Sequence, residues 1–169
     1  KHKLFSFYTA LMLVIVFIAI FAPWLAPGDA FTSDMTKALQ APSAQHWFGT
    51  DKLGRDVLSR IIYGTQLSLF MGVSIVVIMV SIGTVIGAVA GYFGGKVEMV
   101  LMRLADIMLS FPGVVLAIAI AGILGGSIVN TILALSVVGW AKYARLVRSM
   151  TLKVRGEEYV TAAVMMGAS

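Results

Sequence analysis

The chain has 169 residues, of which 59% are hydrophobic and 12% charged, and its mean hydropathy is +0.94. An ordinary soluble domain carries about twice that share of charge, so most of this chain is expected to be solvated by lipid. Cysteine is absent, which excludes disulfide staples, thiolate metal sites and cysteine nucleophiles; the net charge of +5 falls beside apolar runs, where membrane orientation accounts for it better than nucleic acid does.

No charge interrupts Leu4 to Gly28. Since about 20 apolar residues cross a bilayer, Leu4 to Leu25 is read as a first span. A cleaved signal peptide is the competing reading, but the run is longer than a signal core and Pro23-Trp24 stands where small residues would mark cleavage. The loop that follows, residues 26–66, opens on the turn residues Pro27-Gly28-Asp29 and Pro42-Ser43. From Asp51 onward, Leu53, Val57, Leu58, Ile61 and Ile62 recur at helical spacing, and the pairs Asp51/Arg55 and Asp56/Arg60 stand four apart. That pattern predicts a short amphipathic helix lying on the outer face before the chain enters the membrane. Ile61 to Gly95 is again free of charge, giving a second span over 67–93 behind a lead-in helix. Val97 to Ala141 is too long for one crossing, and Gly125-Gly126-Ser127 divides it into spans over 97–124 and 127–150. The fold class expected is all-α, a polytopic transmembrane helical bundle with four spans.

Orientation follows from Lys and Arg, which collect on the cytoplasmic side. A cytoplasmic N-terminus puts Lys1, Lys3, Lys96, Arg103, Lys142, Arg145, Arg148, Lys153 and Arg155 inside. Only Lys37, Lys52, Arg55 and Arg60 then lie outside, matched by Asp29, Asp34, Asp51 and Asp56. The segment 156–169 is accordingly cytoplasmic.

Several features invite a role. Gly83, Gly87 and Gly91 form a doubled small-xxx-small stripe that lets another helix approach closely; packing is the preferred reading and a pathway role the alternative. Pro112 removes a backbone hydrogen bond and is expected to kink or break the third span near Ser110 to Gly113, either with a hinge or pathway role or as a tolerated kink. Arg103 and Asp106 are three apart and are expected to neutralise each other on one helix face, as a structural ion pair or as a pathway site, with Asp106 facing the bundle interior. Lys142, Arg145, Arg148, Lys153 and Arg155 share one side of a helix expected to continue past the membrane, where they anchor headgroups or meet a cytoplasmic partner. The nearest approach to a phosphate-binding loop, Ala90 to Val97, lacks the first glycine and the hydroxyl residue. His2 and His46 fall on opposite sides of the membrane and cannot share a metal. The 10 Met residues are read as packing rather than a metal relay, and no Ser/His/Asp set is placed for hydrolysis.

The run Phe48-Gly49-Thr50-Asp51-Lys52-Leu53-Gly54-Arg55-Asp56-Val57-Leu58-Ser59-Arg60 resembles a signature of the dipeptide, oligopeptide and nickel importer permeases. Gly91-Tyr92-Phe93-Gly94-Gly95, then Met102-Arg103-Leu104-Ala105-Asp106-Ile107-Met108, then Ser110-Phe111-Pro112 are similar to the same family in the same order. Tyr143-Ala144-Arg145-Leu146-Val147-Arg148-Ser149 leads to Glu158-Tyr159-Val160-Thr161-Ala162-Ala163 and, four residues on, Gly167. This last piece resembles the cytoplasmic coupling loop of binding-protein-dependent importers, written Glu-Ala-Ala, three residues, Gly, with Thr161 in place of the glutamate.

The resemblance covers nearly the whole chain from Leu4 and points to the second permease subunit of an ABC importer with the type I permease fold. Ala41 to Phe48 and Gly139 to Tyr143 lean toward nickel-type members. It implies that the chain is no enzyme and binds no cofactor, with ATP and magnesium held by two ATPase subunits. A second permease subunit, an extracytoplasmic substrate-binding protein and membrane lipid complete the implied partners, with no nucleic acid. Peptides, nickel or nickel chelates would be the cargo, and the plasma or inner membrane the location. Glu158, Tyr159, Thr161, Ala162, Ala163 and Gly167 would couple to the ATPase, on a short helix expected from Glu158 to Ala168. Family permeases carry about six spans with this loop between the fourth and fifth, so further spans are expected beyond Ser169. A secondary transporter, expected to show repeats, broken helices and paired mid-membrane acids, and a non-transporting scaffold are the alternatives.

Overall fold

The computed structural model describes residues 2–167. Lys1, assigned above to the inner side, and Ala168 and Ser169, the last of the coupling segment, lie outside the described residues, as does the side chain of His2. Helix makes up 76% of the chain and no strand forms among the described residues, so the all-α class holds. The chain divides into two compact units at Gly72/Val73.

In the first unit, α1 (His2–Ile20) is apolar on every side and almost wholly exposed, with Phe5 73% and Leu13 65% accessible. A helix with no polar face and no protein cover is stable only in lipid. The apolar run does not continue as one helix to Leu25: it breaks at Phe21, and Pro23 sits at the start of the one-turn α2 (Ala22–Leu25), where a missing N–H costs nothing.

The helix expected from Asp51 does not form. Residues 51–56 are turns, and α3 (Val57–Phe93) begins only at Val57. The carboxylate of Asp51 takes the N–H groups of Leu53 and Arg55 at 2.8 and 3.0 Å, and such local bonds compete with a helix. Gly54 at φ +76° then turns the chain the other way. The Asp51/Arg55 pair does form, at 2.8 Å. Asp56/Arg60 does not, because Arg60 reaches Asp51 and Asp56 turns to His46. Once started, α3 runs 37 residues, so the lead-in and the second expected span are one helix.

In the second unit, α3 ends at a turn with Gly94 at φ +65°, and α4 (Gly95–Ser110) follows. The third expected span is broken: α4 stops at Ser110, α5 (Gly113–Leu124) resumes after Pro112, and the two axes differ by 90°. Proline explains the location, since it lacks the N–H that would continue the ladder. At Gly125 (φ +91°) α5 ends; the amide of Asn130 donates to the carbonyls of Leu124 and Gly125 at 2.6 and 3.0 Å, and Ser127 caps α6 (Ile128–Arg155). That helix packs on both α4 and α5, and its buried residues Ile132, Ala134, Ser136, Val138, Ala141 and Ala144 are spread over more than one side. Small residues at a seam let helix backbones approach where no hydrophobic effect drives them together. The short α7 (Glu158–Met165) completes the unit.

The glycine stripe of α3 lies against α6. A Cβ on Gly83 would stand 2.5 Å from the Cβ of Tyr143, on Gly87 2.9 Å from that of Val147, and on Gly91 2.7 Å from that of Thr151. Those three partners are spaced by four, as the glycines are, so two helical ridges meet along three turns.

By length and composition, Lys3–Ile20 and Val57–Phe93 are able to cross a membrane, and the bent α4–α5 pair adds a third if it counts as one span.

Candidate functional site

In the first unit, the signature residues 48–60 converge on the backbone of the loop itself. Gly49 (φ +71°) packs where a side chain would overlap the carbonyl of Gln40. The hydroxyl of Thr50, buried, accepts from the N–H of Gln40 at 2.8 Å and donates to the carbonyl of Lys37. A Cβ on Gly54 would overlap the carbonyl of Asp34, whose N–H is bonded to Leu53 at 2.9 Å. Asp51 gathers two N–H groups and the guanidiniums of Arg55 and Arg60. Phe48, by contrast, points outward, 57% exposed.

Asp56 is buried and carries the end of the network. One oxygen meets Nδ1 of His46 at 3.0 Å, the other accepts from the N–H of Ser59 at 2.8 Å, which caps α3. The hydroxyl of Ser59, also buried, accepts from the N–H of Gly28 at 2.9 Å. These three residues are a Ser/His/Asp set in composition only: the aspartate sits between the other two, so the imidazole does not reach the hydroxyl and nucleophilic activation is not built. His46 and Gly28 escaped sequence reasoning, since neither stands in the signature.

The carboxylates of this loop are held in their charged form. The Arg55 side chain, with the Leu53 and Arg55 N–H groups, brings Asp51 down to about 2 against an ordinary 3.8. The Thr32 hydroxyl and the N–H groups of Thr32 and Phe31 do the same for Asp29, also to about 2. Burial pushes Asp56 up, but the Ser59 N–H, His46 and the Ser59 hydroxyl together outweigh it and leave it lowered.

In the second unit the charges of α4 and α6 meet. Asp106 pairs with Arg145 at 2.5 Å, and Glu98 pairs with Arg148. The expected Arg103–Asp106 pair is therefore corrected: Arg103 makes no ion pair among the described residues, because α6 brings a guanidinium closer to Asp106 than its neighbour on α4 does. Nor is the Asp106 side chain enclosed within the chain, being 54% exposed. The basic side of α6 was expected to turn outward to headgroups or a partner, yet three of its five cations are engaged inside the unit, since Arg155 also donates to the carbonyl of Tyr92 at 3.0 Å. Glu98 drew no attention as sequence, its only signal being an acid in the first turn of α4.

Beyond Arg155, Gly156 ends α6 and α7 turns away. Tyr159, Val164 and Met165 are 66%, 61% and 83% exposed, and Glu158, Thr161 and Ala162 are open too, with Ala163 half-buried. The helix stops at Met165, short of the expected Ala168, and Gly167 follows at φ +97° with open space around it.

A short helix with exposed apolar side chains therefore follows the end of a basic helix. The profile of the family described as binding-protein-dependent transport system inner membrane component matches residues 83–169. The chain belongs to that family. A second profile, the N-terminal TM domain of oligopeptide transport permease C, matches residues 1–42. The dipeptide transport system permease protein DppC of Alkalihalophilus pseudofirmus is 42% identical over 99% of this chain and 55% of its own length. The probable D,D-dipeptide transport system permease protein DdpC of Escherichia coli K12 is 43% identical over 94% of the chain and 53% of its own. The nickel transport system permease protein NikC of the same organism is 39% identical over 92% and 56%. The chain thus spans about half the length of these curated relatives. Membership of the dipeptide, oligopeptide and nickel permease group, as a multi-pass membrane protein, stands on these matches and the apolar helices together. In the permease family's terms, α4 to α7 lie within the first profile, while the signature 48–60 falls between the two.

Proposed function

We propose that this chain is the N-terminal part of a permease subunit of an ABC importer that moves peptides or nickel into the cytoplasm, driven by ATP hydrolysis in separate subunits. The observation that carries the reading is α7: a partly apolar helix at the end of the family-matched region, following α6 and leaving Tyr159, Val164 and Met165 exposed among the described residues. An amphipathic helix of this kind suits a groove on a motor subunit, and its movement reaches the membrane helices as a rigid-body push. Glu158, Tyr159, Thr161, Ala162, Ala163 and Gly167 are the contact set.

Four spans, over 4–25, 67–93, 97–124 and 127–150, with a cytoplasmic N-terminus, place residues 26–66 outside and 156–169 inside. The folded outer loop then faces the substrate-binding protein, and its network keeps that face in one shape. Relatives named for dipeptide, nickel and glutathione transport are all similar to this chain, so selectivity is assigned to the binding protein rather than to the shared helices. ATP, magnesium and nucleotide chemistry belong to two ATPase partners, and a second permease subunit completes the pathway. The break at Pro112 is a feature secondary transporters share, but it comes without an inverted repeat.

The test uses the full-length protein with its partners in liposomes. Copurification of an ATPase, and ATP-driven uptake of a dipeptide or nickel, are expected. Gly167→Leu should assemble and hydrolyse ATP but take up little substrate; since any Cβ is strained at φ +97°, Gly167→Ala should show part of the defect. Normal uptake in Gly167→Leu would refute the assigned role of α7.

A further inference from the structure

We propose that Glu98–Arg148 and Asp106–Arg145 form a two-point clasp that obliges α4 to travel with α6 when α7 is pushed, making these four side chains positioning residues for transport. The inference rests on the importer reading above. Its ground is the convergence of both α4 carboxylates on arginines of α6, across 50 and 39 residues of chain.

The contacts run in opposite chain directions. Glu98, early in α4, meets Arg148, the later arginine of α6, and Asp106, late in α4, meets Arg145. Along α4 the acids stand about 12 Å apart, whereas along α6 the arginines stand about 4.5 Å apart, so the guanidiniums splay and grip α4 at two separated points. One such pair would allow α4 to pivot about it. Two remove that freedom.

Packing adds to this restraint without naming a register. Ala105 is the one fully buried residue of α4, with Leu101, Met102, Met108 and Leu109 half-buried around it. Apolar contacts of this kind are non-directional and methionine is adaptable, so they resist separation better than sliding. Ion pairs as open as Asp106–Arg145, with both side chains 54% exposed, add little to stability. The register role attested for polar groups is that of enclosed ones, and Glu98–Arg148, the less exposed pair, comes nearer to it.

A route for the push runs along the chain within this unit. Val160 of α7, half-buried, lines one apolar recess together with Tyr92, Val147, Met150, Thr151 and Val154. Gly156 caps α6, and the N–H of Glu157, the N-cap of α7, donates to the carbonyl of Val154 at 3.1 Å, so the start of α7 is tied to the last turn of α6. The clasp carries a displacement of α6 to α4, and the break at Pro112 lets α4 change its angle to α5 without bending a helix. Glu98–Arg148 is the more enclosed pair, at 22% and 32% side-chain exposure, and lies nearer α7 along the chain, so it carries the larger share.

The experiment reads uptake per ATP hydrolysed by the full-length complex in liposomes, with a dipeptide and nickel as parallel probes. Glu98→Gln should lower that ratio about fivefold or more with ATP hydrolysis retained, and Asp106→Asn should lower it less. The exchange Glu98→Arg/Arg148→Glu should restore most of the loss, which a role of Glu98 alone in folding would not predict. With any cysteine outside these 169 residues replaced by serine, Glu98→Cys/Arg148→Cys can be joined by a short cross-linker, and uptake should survive the joining. An unchanged ratio in Glu98→Gln, an exchange that restores nothing, or uptake abolished by the cross-link overturns the clasp while leaving the importer standing. No ATP-driven uptake by the unaltered complex removes the importer reading, and the clasp with it.

Discussion

The outer loop and the α4–α6 contact both use charged side chains to hold backbone in place, and they do so by different means. In the loop, Asp29, Asp51 and Asp56 accept mainly from N–H groups a few residues away, and a buried threonine hydroxyl closes the turns between. Each carboxylate replaces a piece of missing secondary structure. In the second unit the backbone is already satisfied by helices, so Glu98, Asp106, Arg145 and Arg148 are free to bond one another across two elements. The first arrangement makes a rigid surface; the second makes a joint whose parts are separately rigid. On the importer reading proposed above, the first would face a delivering protein and the second would pass on a movement of α7.

The contrast is broken most directly at the loop. Gly54→Ala meets both a left-handed φ and the carbonyl of Asp34, so it should cost the loop at least about 1–3 kcal/mol and open Lys37, Lys52 and Arg55 to trypsin. Gly64→Ala, helical and with nothing within 4 Å of a Cβ, should leave cleavage unchanged or slower. Acid should separate the two regions next. Asp29 and Asp51 are held at about 2 in the folded loop against 3.8 when free, so the unfolded loop binds protons first as pH falls. Their stabilisation is complete above about 4 and is lost between about 4 and 2. Protection of the Phe31, Leu53 and Arg55 amides, measured as exchange relative to the intrinsic rate at each pH, should fall within that window and hold steady from pH 7 down to it; protection that falls already at pH 6 would assign the loop's order to another group. The smallest effect sharpens the second region. Arg103→Gln, which removes no ion pair, should leave thermal unfolding within about 0.5 kcal/mol of the unaltered protein. Asp106→Asn should cost up to about 1 kcal/mol, and a larger loss from Arg103→Gln would restore the pairing expected from spacing.

Local rules carried some of this into view before any fold was known. A chain that must be dissolved in lipid announces its helices by composition, so α1 and the apolar body of α3 were legible as runs without charge. Pro112 located a break, because a missing N–H acts on the four residues before it whatever surrounds them. Gly83, Gly87 and Gly91 showed a seam, though not that Tyr143, Val147 and Thr151 would fill it. The signature 48–60 was visible as a pattern, but its periodicity misled: hydrophobic spacing at Leu53, Val57 and Leu58 counted toward a helix, while Asp51 and Gly54 had already committed the backbone to turns.

What the sequence determined by itself was lipid as the solvent, helix as the regular structure, and the helix breaks at Pro112 and at Gly125. All of these depend on a residue and its near neighbours. Tertiary structure decided which charges meet. Arg103 stands three residues from Asp106 and Arg145 thirty-nine, yet the ion pair follows distance in space, and only the packing of α6 on α4 brought the farther residue nearer. The same holds for His46 and Asp56, whose contact exists because the turns between them fold back.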